Sequence, residues 1–340
     1  MDSPTPDSHD AEAIEPLGAI APSVPIVGSP VWISYLLLAV FTFLILVEFV
    51  AAYGLHRVSK IQHRIREEYL AALLMRQTHT KGRTQVLLAG NSLLIADVDL
   101  SLLKEQLPAN FEVKRFAVEQ TTYLDWHYGL RRLFVEGSRP DVLVLALTAR
   151  HLAASEVLGE YFAHNLMRAG DLARVARDLQ LDRTTESNLL FGHVSAFYAS
   201  RSDIRKWLLG KVFPGMPALM EILTQVPPQP PSEASLRSIA SRLAELKRLT
   251  GEYDVRLILL APPVPAFKED SYLDVLTAAA SAAEVPMLVV LRPDELRRED
   301  YGPDGLHMND TGAERHTRAL APLLTAAVDS QYESAAVAAR

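Results

Sequence analysis

The longest uninterrupted apolar stretch of the chain runs from Val31 to Leu55 and contains one charged residue, Glu48. About 20 helical residues, each rising about 1.5 Å, cross the hydrocarbon core of a bilayer. Trp32 and Tyr53 lie near the two ends, where aromatic rings prefer the membrane interface. The pattern therefore predicts a single-pass transmembrane helix over 31–55. A cleaved signal peptide fits less well, because the preceding region is acidic and the apolar stretch is long.

The segments on either side of this helix have opposite character. Residues 1–30 hold six prolines, several acidic residues and no lysine or arginine, so they predict a disordered tail. Residues 56–82 place apolar side chains at helical spacing and predict a juxtamembrane helix and linker. The basic side chains of that helix would either contact anionic lipid or form a solvated face.

Basic residues follow the apolar stretch and none precedes it, which bears on the membrane side of the rest of the chain. They are Arg57, Lys60, Arg64, Arg66, Arg76, Lys81 and Arg83. Lysine and arginine are enriched on the cytoplasmic side of membrane helices. The charge distribution therefore favours a cytoplasmic C-terminal domain and a translocated N-terminal tail.

Five short apolar stretches alternate with helical patterns and predict β-strands. They are Val86–Ala89, Val113–Ala117, Asp141–Leu147, Val255–Ala261 and Pro286–Leu291. Uninterrupted apolar strands are typical of a parallel sheet covered on both faces. Strands that alternate with helices predict an α/β domain of three layers over 83–330, followed by a disordered tail at 331–340.

Residues 151–231 interrupt this alternation. Their composition is mostly helical, the segment ends in a proline-rich run, and it is too long for a simple connection. We interpret it as a helical insertion. It would either cap the edge of the sheet at which open α/β folds bind ligands, or form a structural extension without substrate contact.

Composition excludes several kinds of chemistry. The net charge of −7 over 340 residues makes nucleic acid an unexpected partner. The absence of cysteine excludes disulfides, thiolate metal sites and cysteine nucleophiles. The ten histidines have no metal-ligand spacing, and no phosphate-binding glycine loop follows a strand. Neither a metal nor another cofactor is therefore expected.

A serine follows the first predicted strand. Gly90 would allow a tight turn before Ser92, and the next helix is expected to begin near Asp97 or Asp99. Backbone N–H groups at such a turn can face a developing oxyanion. This position suits a nucleophile, although a Gly-x-Ser sequence is also common in ordinary turns.

A histidine lies in the polar loop between the last predicted strand and the last predicted helix. Asp304 precedes His307 by three residues, so its carboxylate can fold back onto one imidazole nitrogen. The other nitrogen is then free to accept a proton from a serine. Because the loops after parallel strands open at one edge of a sheet, Ser92 and His307 are expected to meet there. The last helix would be capped by Asp310 or Thr311.

These two segments carry a resemblance to a known family. The sequence Gly-Asn-Ser-Leu at 90–93 resembles the first block of the SGNH (GDSL-like) hydrolase superfamily, and residues 304–313 resemble its last block. The sequence Leu-Leu-Ala-Pro-Pro at 259–263 resembles its fourth strand and following loop. The resemblance implies a flavodoxin-like αβα fold with a five-stranded parallel sheet. It also implies Ser92 as nucleophile, His307 as base and Asp304 as the acid that orients it.

The chain departs from this family in the two middle blocks, which normally supply a glycine and an asparagine to the oxyanion hole. Loss of one such donor costs about two to three orders of magnitude in rate. Asn91 also replaces the usual aspartate of the first block. Candidate oxyanion or substrate groups are Asn91, Thr121, Thr122, Arg150 and His151. For the last two, a solvated loop is the alternative.

A membrane-anchored domain of this kind is similar to the O-acetyltransferases of exopolysaccharide biosynthesis and to the protein of D-alanyl transfer to teichoic acid. The resemblance implies an envelope polymer as substrate, a multi-pass membrane acyltransferase as partner and an extracytoplasmic domain. Two hypotheses follow. The chain is a membrane-tethered serine esterase or O-acyltransferase, or it is a catalytically weak scaffold for a membrane-embedded partner.

Overall fold

The computed structural model describes residues 30–58, 60–76, 83–157, 160–213, 231–265 and 272–338. The predicted acidic tail lies outside these residues except for Pro30, as does most of the proline-rich run at the end of the insertion. The described chain divides into two compact units, and the boundary between them lies between Ile45 and Leu46.

Helix α1 spans Pro30–Val58 and contains the predicted membrane segment. The stretch Val31–Gly54 is long and apolar enough to cross a membrane, and its most apolar part is exposed throughout. A helix that packs on a protein core buries at least one of its faces. Helix α2, Lys60–Leu73, follows it and buries Ile65 and Ala72.

The sheet has five strands, all parallel, as the apolar stretches predicted. They are β1 (Thr84–Gly90), β2 (Phe111–Ala117), β3 (Val142–Ala146), β4 (Arg256–Ala261) and β5 (Met287–Val289). Their order is β2-β1-β3-β4-β5, which is the flavodoxin-like order. The last residue of β1, Gly90, pairs with Ala117 on one side and with Ala146 on the other.

Helices cover both faces of the sheet. Those not yet given are α3 (Ser92–Asp97), α4 (Leu100–Gln106), α5 (Tyr123–Val135), α6 (Ala149–Ala153), α7 (Glu160–Asn165), α8 (Ala169–Asp178), α9 (Arg183–Val194), α10 (Ala196–Val212), α11 (Glu233–Arg237), α12 (Ile239–Gly251), α13 (Leu273–Ala282) and α14 (Asp310–Ala338). Alternate residues of β1 face opposite layers: Leu87 and Ala89 join α2, α5, α12 and α13 in one core, whereas Val86 and Leu88 join α4 and α14 in the other. The predicted three-layer α/β fold is confirmed.

Two helices begin earlier or are capped differently than the sequence predicts. Helix α3 begins directly at Ser92, because Asn91 Oδ1 accepts the Leu93 N–H at 3.1 Å and so forms an N-cap. Asp99 then caps α4, as expected for the second of the two predicted positions. At the start of α14 the cap is Asn309, whose Oδ1 accepts the Gly312 N–H at 3.0 Å, in place of the predicted Asp310 or Thr311.

Helix α14 also extends to Ala338 and so includes residues 331–338, for which the sequence predicts a disordered tail. Alanine is frequent in this stretch and has the highest intrinsic helix propensity, which accounts for the continuation.

The described part of the insertion forms helices α6 to α10, of which α6, α7 and α8 lie beside α5. The Arg132 side chain of α5 donates to the Asn165 carbonyl at 2.9 Å. Leu166 lies close to Gly129 of α5, since a Cβ at Gly129 would be in ordinary van der Waals contact with it at 3.6 Å. These contacts hold the first part of the insertion beside α5.

Candidate active site

Ser92 is held at the sheet edge by a close approach of β1 and β3. A Cβ at Gly90 would lie 2.8 Å from the Ala146 carbonyl oxygen, so only glycine fits there. As the first residue of α3, Ser92 presents an N–H that has no acceptor within the helix. Asn91, a predicted oxyanion candidate, is used structurally: besides capping α3, its Nδ2 donates to the Thr121 carbonyl at 3.3 Å.

The loop that carries His307 is folded around the Asp304 carboxylate. Asp304 Oδ1 accepts the N–H groups of Leu306 at 2.9 Å and of His307 at 3.1 Å. Gly305 has a φ of 64°, a left-handed conformation that glycine adopts without strain. The Gly302 N–H closes the loop on the His307 carbonyl at 2.8 Å. The short loop therefore fixes both the acid and the imidazole.

The three residues form one hydrogen-bonded chain. His307 Nδ1 lies 2.5 Å from Asp304 Oδ2, and His307 Nε2 lies 2.8 Å from Ser92 Oγ. In this arrangement the serine hydroxyl donates to Nε2 while Nδ1–H donates to the carboxylate. The side chains of His307 and Asp304 are 34% and 51% exposed, so a substrate can reach them. The order of groups is that of a serine nucleophile, its base and the acid that orients the base.

The surroundings of Asp304 favour the ionised form of its carboxyl group. Partial burial acts to raise the pKa of Asp304, but hydrogen bonds from the His307 ring and from the N–H groups of Leu306 and His307 outweigh it. The net effect lowers the pKa of Asp304. A carboxylate beside an imidazole favours the charged form of the ring.

A residue that the sequence did not single out as functional, Asp97, joins the helix of Ser92 to the loop of His307. Asp97, at the end of α3 opposite Ser92, accepts the Met308 N–H at 3.2 Å. Its backbone carbonyl accepts Nδ1–H of the buried His316 at 2.9 Å. Burial raises the pKa of Asp97, and burial lowers the pKa of His316 to about 4. The sequence signal for Asp97 is an acidic residue that directly follows the apolar residues 93–96.

The two threonines predicted as oxyanion candidates have hydroxyl groups committed elsewhere. Thr121 Oγ1 donates to the Val118 carbonyl at 2.6 Å and accepts Trp126 Nε1–H at 3.0 Å. Thr122 Oγ1 donates to the Glu156 carbonyl at 2.9 Å. Both hydroxyls therefore stabilise the loop after β2.

The other two candidates, Arg150 and His151, lie on the short helix α6 after β3 and are half-buried. His151 Nδ1 lies 2.8 Å from Thr148 Oγ1. Burial first, and then the charge of Arg150, lower the pKa of His151 to about 4, so its ring is neutral at pH 7. The sequence analysis did not name Thr148 as a site residue. Gly90 and Ala146 are paired in the sheet, and Ser92 and Thr148 each lie two residues beyond them.

The juxtamembrane helix α2 fixes the loop after β2 through charged side chains. Arg64 forms ion pairs with Glu119 at 2.6 Å and with Glu68 at 3.1 Å, and it donates to the Ala117 carbonyl at 2.8 Å. Arg64 therefore belongs to neither of the predicted alternatives, lipid contact or a solvated face. In the same loop Gln120 adopts a left-handed φ of 62°, a conformation that usually selects glycine.

Within the described part of the chain, no group of three or more acidic or histidine side chains is placed to hold a metal ion.

Comparison with known proteins gives only distant similarities. No protein-family model matches the chain, and no curated protein matches its sequence. The structure is similar to a crystal structure of TesA, with 12% identity, a TM-score of 0.39, and coverage of 71% of this chain and 98% of that one. It is also similar to the acetyl xylan esterase AlAXEase, with 12% identity, a TM-score of 0.38, and coverage of 72% and 99%. Similarity this distant assigns neither a family nor an activity.

Proposed function

We propose that the chain is a membrane-tethered serine esterase or O-acyltransferase in which Ser92 is the nucleophile, His307 the base and Asp304 its orienting acid. The observation that carries this proposal is the continuous hydrogen-bonded chain from Ser92 Oγ through both imidazole nitrogens to the carboxylate, with distances of 2.8 and 2.5 Å. Such a chain gives a hydroxyl a route for its proton, which an isolated serine lacks.

The chemistry has two steps. In the first, Ser92 Oγ attacks the acyl carbonyl as His307 Nε2 takes the hydroxyl proton, and the tetrahedral oxyanion faces the Ser92 N–H. The C–O bond of the ester then breaks, His307 returns the proton to the departing alcohol, and the acyl group remains on Ser92. In the second step, water or a sugar hydroxyl attacks this ester by the same route, and Ser92 regains its proton.

We also propose a substrate and a cellular setting, and both depend on the proposed esterase or acyltransferase activity. An apolar helix ahead of the domain suits a substrate at a membrane, such as an acylated glycan or envelope polymer, and a multi-pass acyltransferase as partner. The charge distribution favours a cytoplasmic domain, whereas the resemblance to envelope acyltransferases favours the other side. Reporter fusions at the two termini separate these orientations.

One observation favours the alternative, a catalytically weak scaffold on the same fold. The hydroxyls of Thr121 and Thr122 are engaged within the protein, so two of the expected substitutes for the missing oxyanion donors are not available. With the Ser92 N–H as the remaining donor from α3, turnover would be slow, because each lost donor costs about two to three orders of magnitude.

Hydrolysis of 4-nitrophenyl acetate by the detergent-solubilised full chain separates the two. If the chain is an esterase, Ser92→Ala abolishes turnover and leaves the folded state intact. Ser101→Ala is the matched control, since Ser101 is an exposed serine in the first turn of α4. If the unaltered chain turns over no faster than the Ser92→Ala variant, the scaffold alternative is supported instead.

A further inference from the structure

The junction of α9 and α10 presents large apolar side chains to the surface. Leu190, Phe191, Val194 and Phe197 surround the connecting Ser195, and they are 52%, 57%, 72% and 41% exposed. We call these four the junction surface. Single exposed apolar residues are ordinary, but a group of this size around one turn marks a contact with another apolar surface.

This junction is attached to α1 by hydrogen bonds to a half-buried carboxylate, that of Glu48. Glu48 of α1 accepts hydrogen bonds from Ser195 Oγ at 2.7 Å, from the Ala196 N–H at 2.6 Å and from the Phe197 N–H at 3.3 Å. The carboxylate therefore caps the start of α10, where N–H groups have no acceptor within the helix. The junction surface begins at the residues that bind this carboxylate.

The position of Glu48 along α1 fixes the depth of the junction. Glu48 precedes Gly54, the end of the apolar segment, by six residues, which is about 9 Å of helix. The segment of 24 residues exceeds the hydrocarbon thickness slightly, so Glu48 would lie about 6 Å inside the boundary. Interfacial helices bury their apolar face to about 5–10 Å. The junction surface thus lies at the depth of an interfacial helix.

A bilayer fits this surface better than a protein does. The neighbours of Glu48 on α1 are also apolar and exposed, with Phe49 at 60% and Val50 at 58%, so lipid that surrounds α1 at this level meets the junction too. The three donors bind the carboxylate and offset part of the cost of placing it in an apolar medium. Helix α10 carries four basic residues and one acidic residue, a balance that suits anionic headgroups.

We propose that the α9–α10 junction is a second membrane contact, in which Leu190, Phe191, Val194 and Phe197 enter the interface beside α1. The domain is then attached to the bilayer at two points, α1 and the junction surface of the insertion. This inference rests on the proposed membrane anchoring by α1, and it assigns a role to an insertion that the proposed chemistry does not use.

A depth measurement in vesicles tests the inference. Because the chain has no cysteine, a single Val194→Cys can be labelled with an environment-sensitive fluorophore without other changes. The full chain is reconstituted in phosphatidylcholine vesicles containing phosphatidylglycerol, with or without a mixture of lipids that carry a quencher just below the headgroup or deep in the acyl chain. We expect a blue-shifted emission and quenching at least half as strong as that of a label at Leu44→Cys in α1. Glu105→Cys, on the exposed side of α4, should not be quenched.

The controls separate failure of this inference from failure of the anchor. Quenching at Leu44 but not at Val194 overturns the junction contact and leaves the anchor standing. No quenching at Leu44 overturns both. A blue shift at Val194 without quenching means that protein, in a second copy or elsewhere in the chain, covers the surface, which also contradicts the inference. Glu48→Leu, which removes the acceptor of all three donors, should weaken quenching at Val194 but not at Leu44.

Discussion

Individual residues at the site are fixed by backbone contacts that leave no room for alternatives. A Cβ at Gly312, in the first turn of α14, would lie 2.2 Å from the Asp300 carbonyl oxygen. That oxygen also accepts the Asn309 N–H at 2.9 Å. Asp300 is followed by Tyr301, which pairs with Met308 beside His307. A side chain at Gly312 would therefore displace the backbone at Asp300, and with it the loop that carries His307.

Gly312→Ala is expected to destabilise the protein by about 1–3 kcal/mol, because a backbone atom must move to admit the methyl group. Gly170→Ala in α8 is the matched control: no atom lies within 4 Å of a Cβ there, and it should stabilise by about 0.4–1 kcal/mol. Urea unfolding of both variants in detergent measures the difference. Equal stability of the two would contradict the close approach at Gly312.

At the scale of elements, α3 links Ser92 to the loop that carries His307. Ser92 begins this helix and Asp97 ends it, and Asp97 holds the loop of His307 through the Met308 N–H. Sequence patterns predicted the strands around the site and the approach of Ser92, His307 and Asp304 to one another. They did not predict that α3 starts at Ser92, because that depends on the Asn91 side chain, or that Asp97 binds a backbone group 211 positions away.

Asp97→Ala should lower kcat about tenfold with little change in KM, since the residue positions His307 and does not contact substrate. The Met308 N–H would be left buried without an acceptor, at a cost of about 1–3 kcal/mol in stability. Asp97→Asn keeps an acceptor and, like the protonated acid, carries no charge, so it should restore most of kcat. Steady-state kinetics of the two variants measure this. An unchanged kcat in Asp97→Ala, whatever its stability, would rule out the positioning role.

At the scale of the whole molecule, the sheet follows from the sequence, whereas most contacts between distant segments, unlike that of Ser92 with His307, do not. Apolar stretches predicted all five strands and their parallel arrangement, because a strand covered on both faces has to be apolar along its length. The path of the insertion, which packs on α5 and on Glu48 of α1, depends on single polar contacts such as that of Arg132 with Asn165. No periodic pattern encodes such pairs.

Two buried histidines are expected to make the protein sensitive to acid. The pKa of His316 and that of His151 fall to about 4 on folding, from an ordinary value of 6.5. Between these values the unfolded chain binds protons that the folded chain does not, so stability decreases as the pH falls from about 6.5 to 4. Each histidine should cost about 2 kcal/mol between pH 7 and 5. Asp97, whose pKa is raised, acts in the opposite sense.

His316→Gln isolates one of these contributions, because the amide can still donate to the Asp97 carbonyl. The loss of stability between pH 7 and 5 should be smaller in this variant than in the unaltered chain by about 2 kcal/mol. Urea unfolding at the two pH values provides the comparison. Parallel losses in both proteins would mean that His316 is not held neutral by burial.

The most direct test of the central claim is covalent labelling of Ser92 with an activated fluorophosphonate, read by mass spectrometry of the full chain. A serine whose proton passes to a positioned imidazole attacks such a reagent, whereas an ordinary surface serine does not. We expect one adduct, on Ser92, and its loss in His307→Ala. The absence of an adduct on Ser92 at any pH, or labelling at an equal rate in His307→Ala, would contradict the assignment of Ser92, His307 and Asp304 as a catalytic triad.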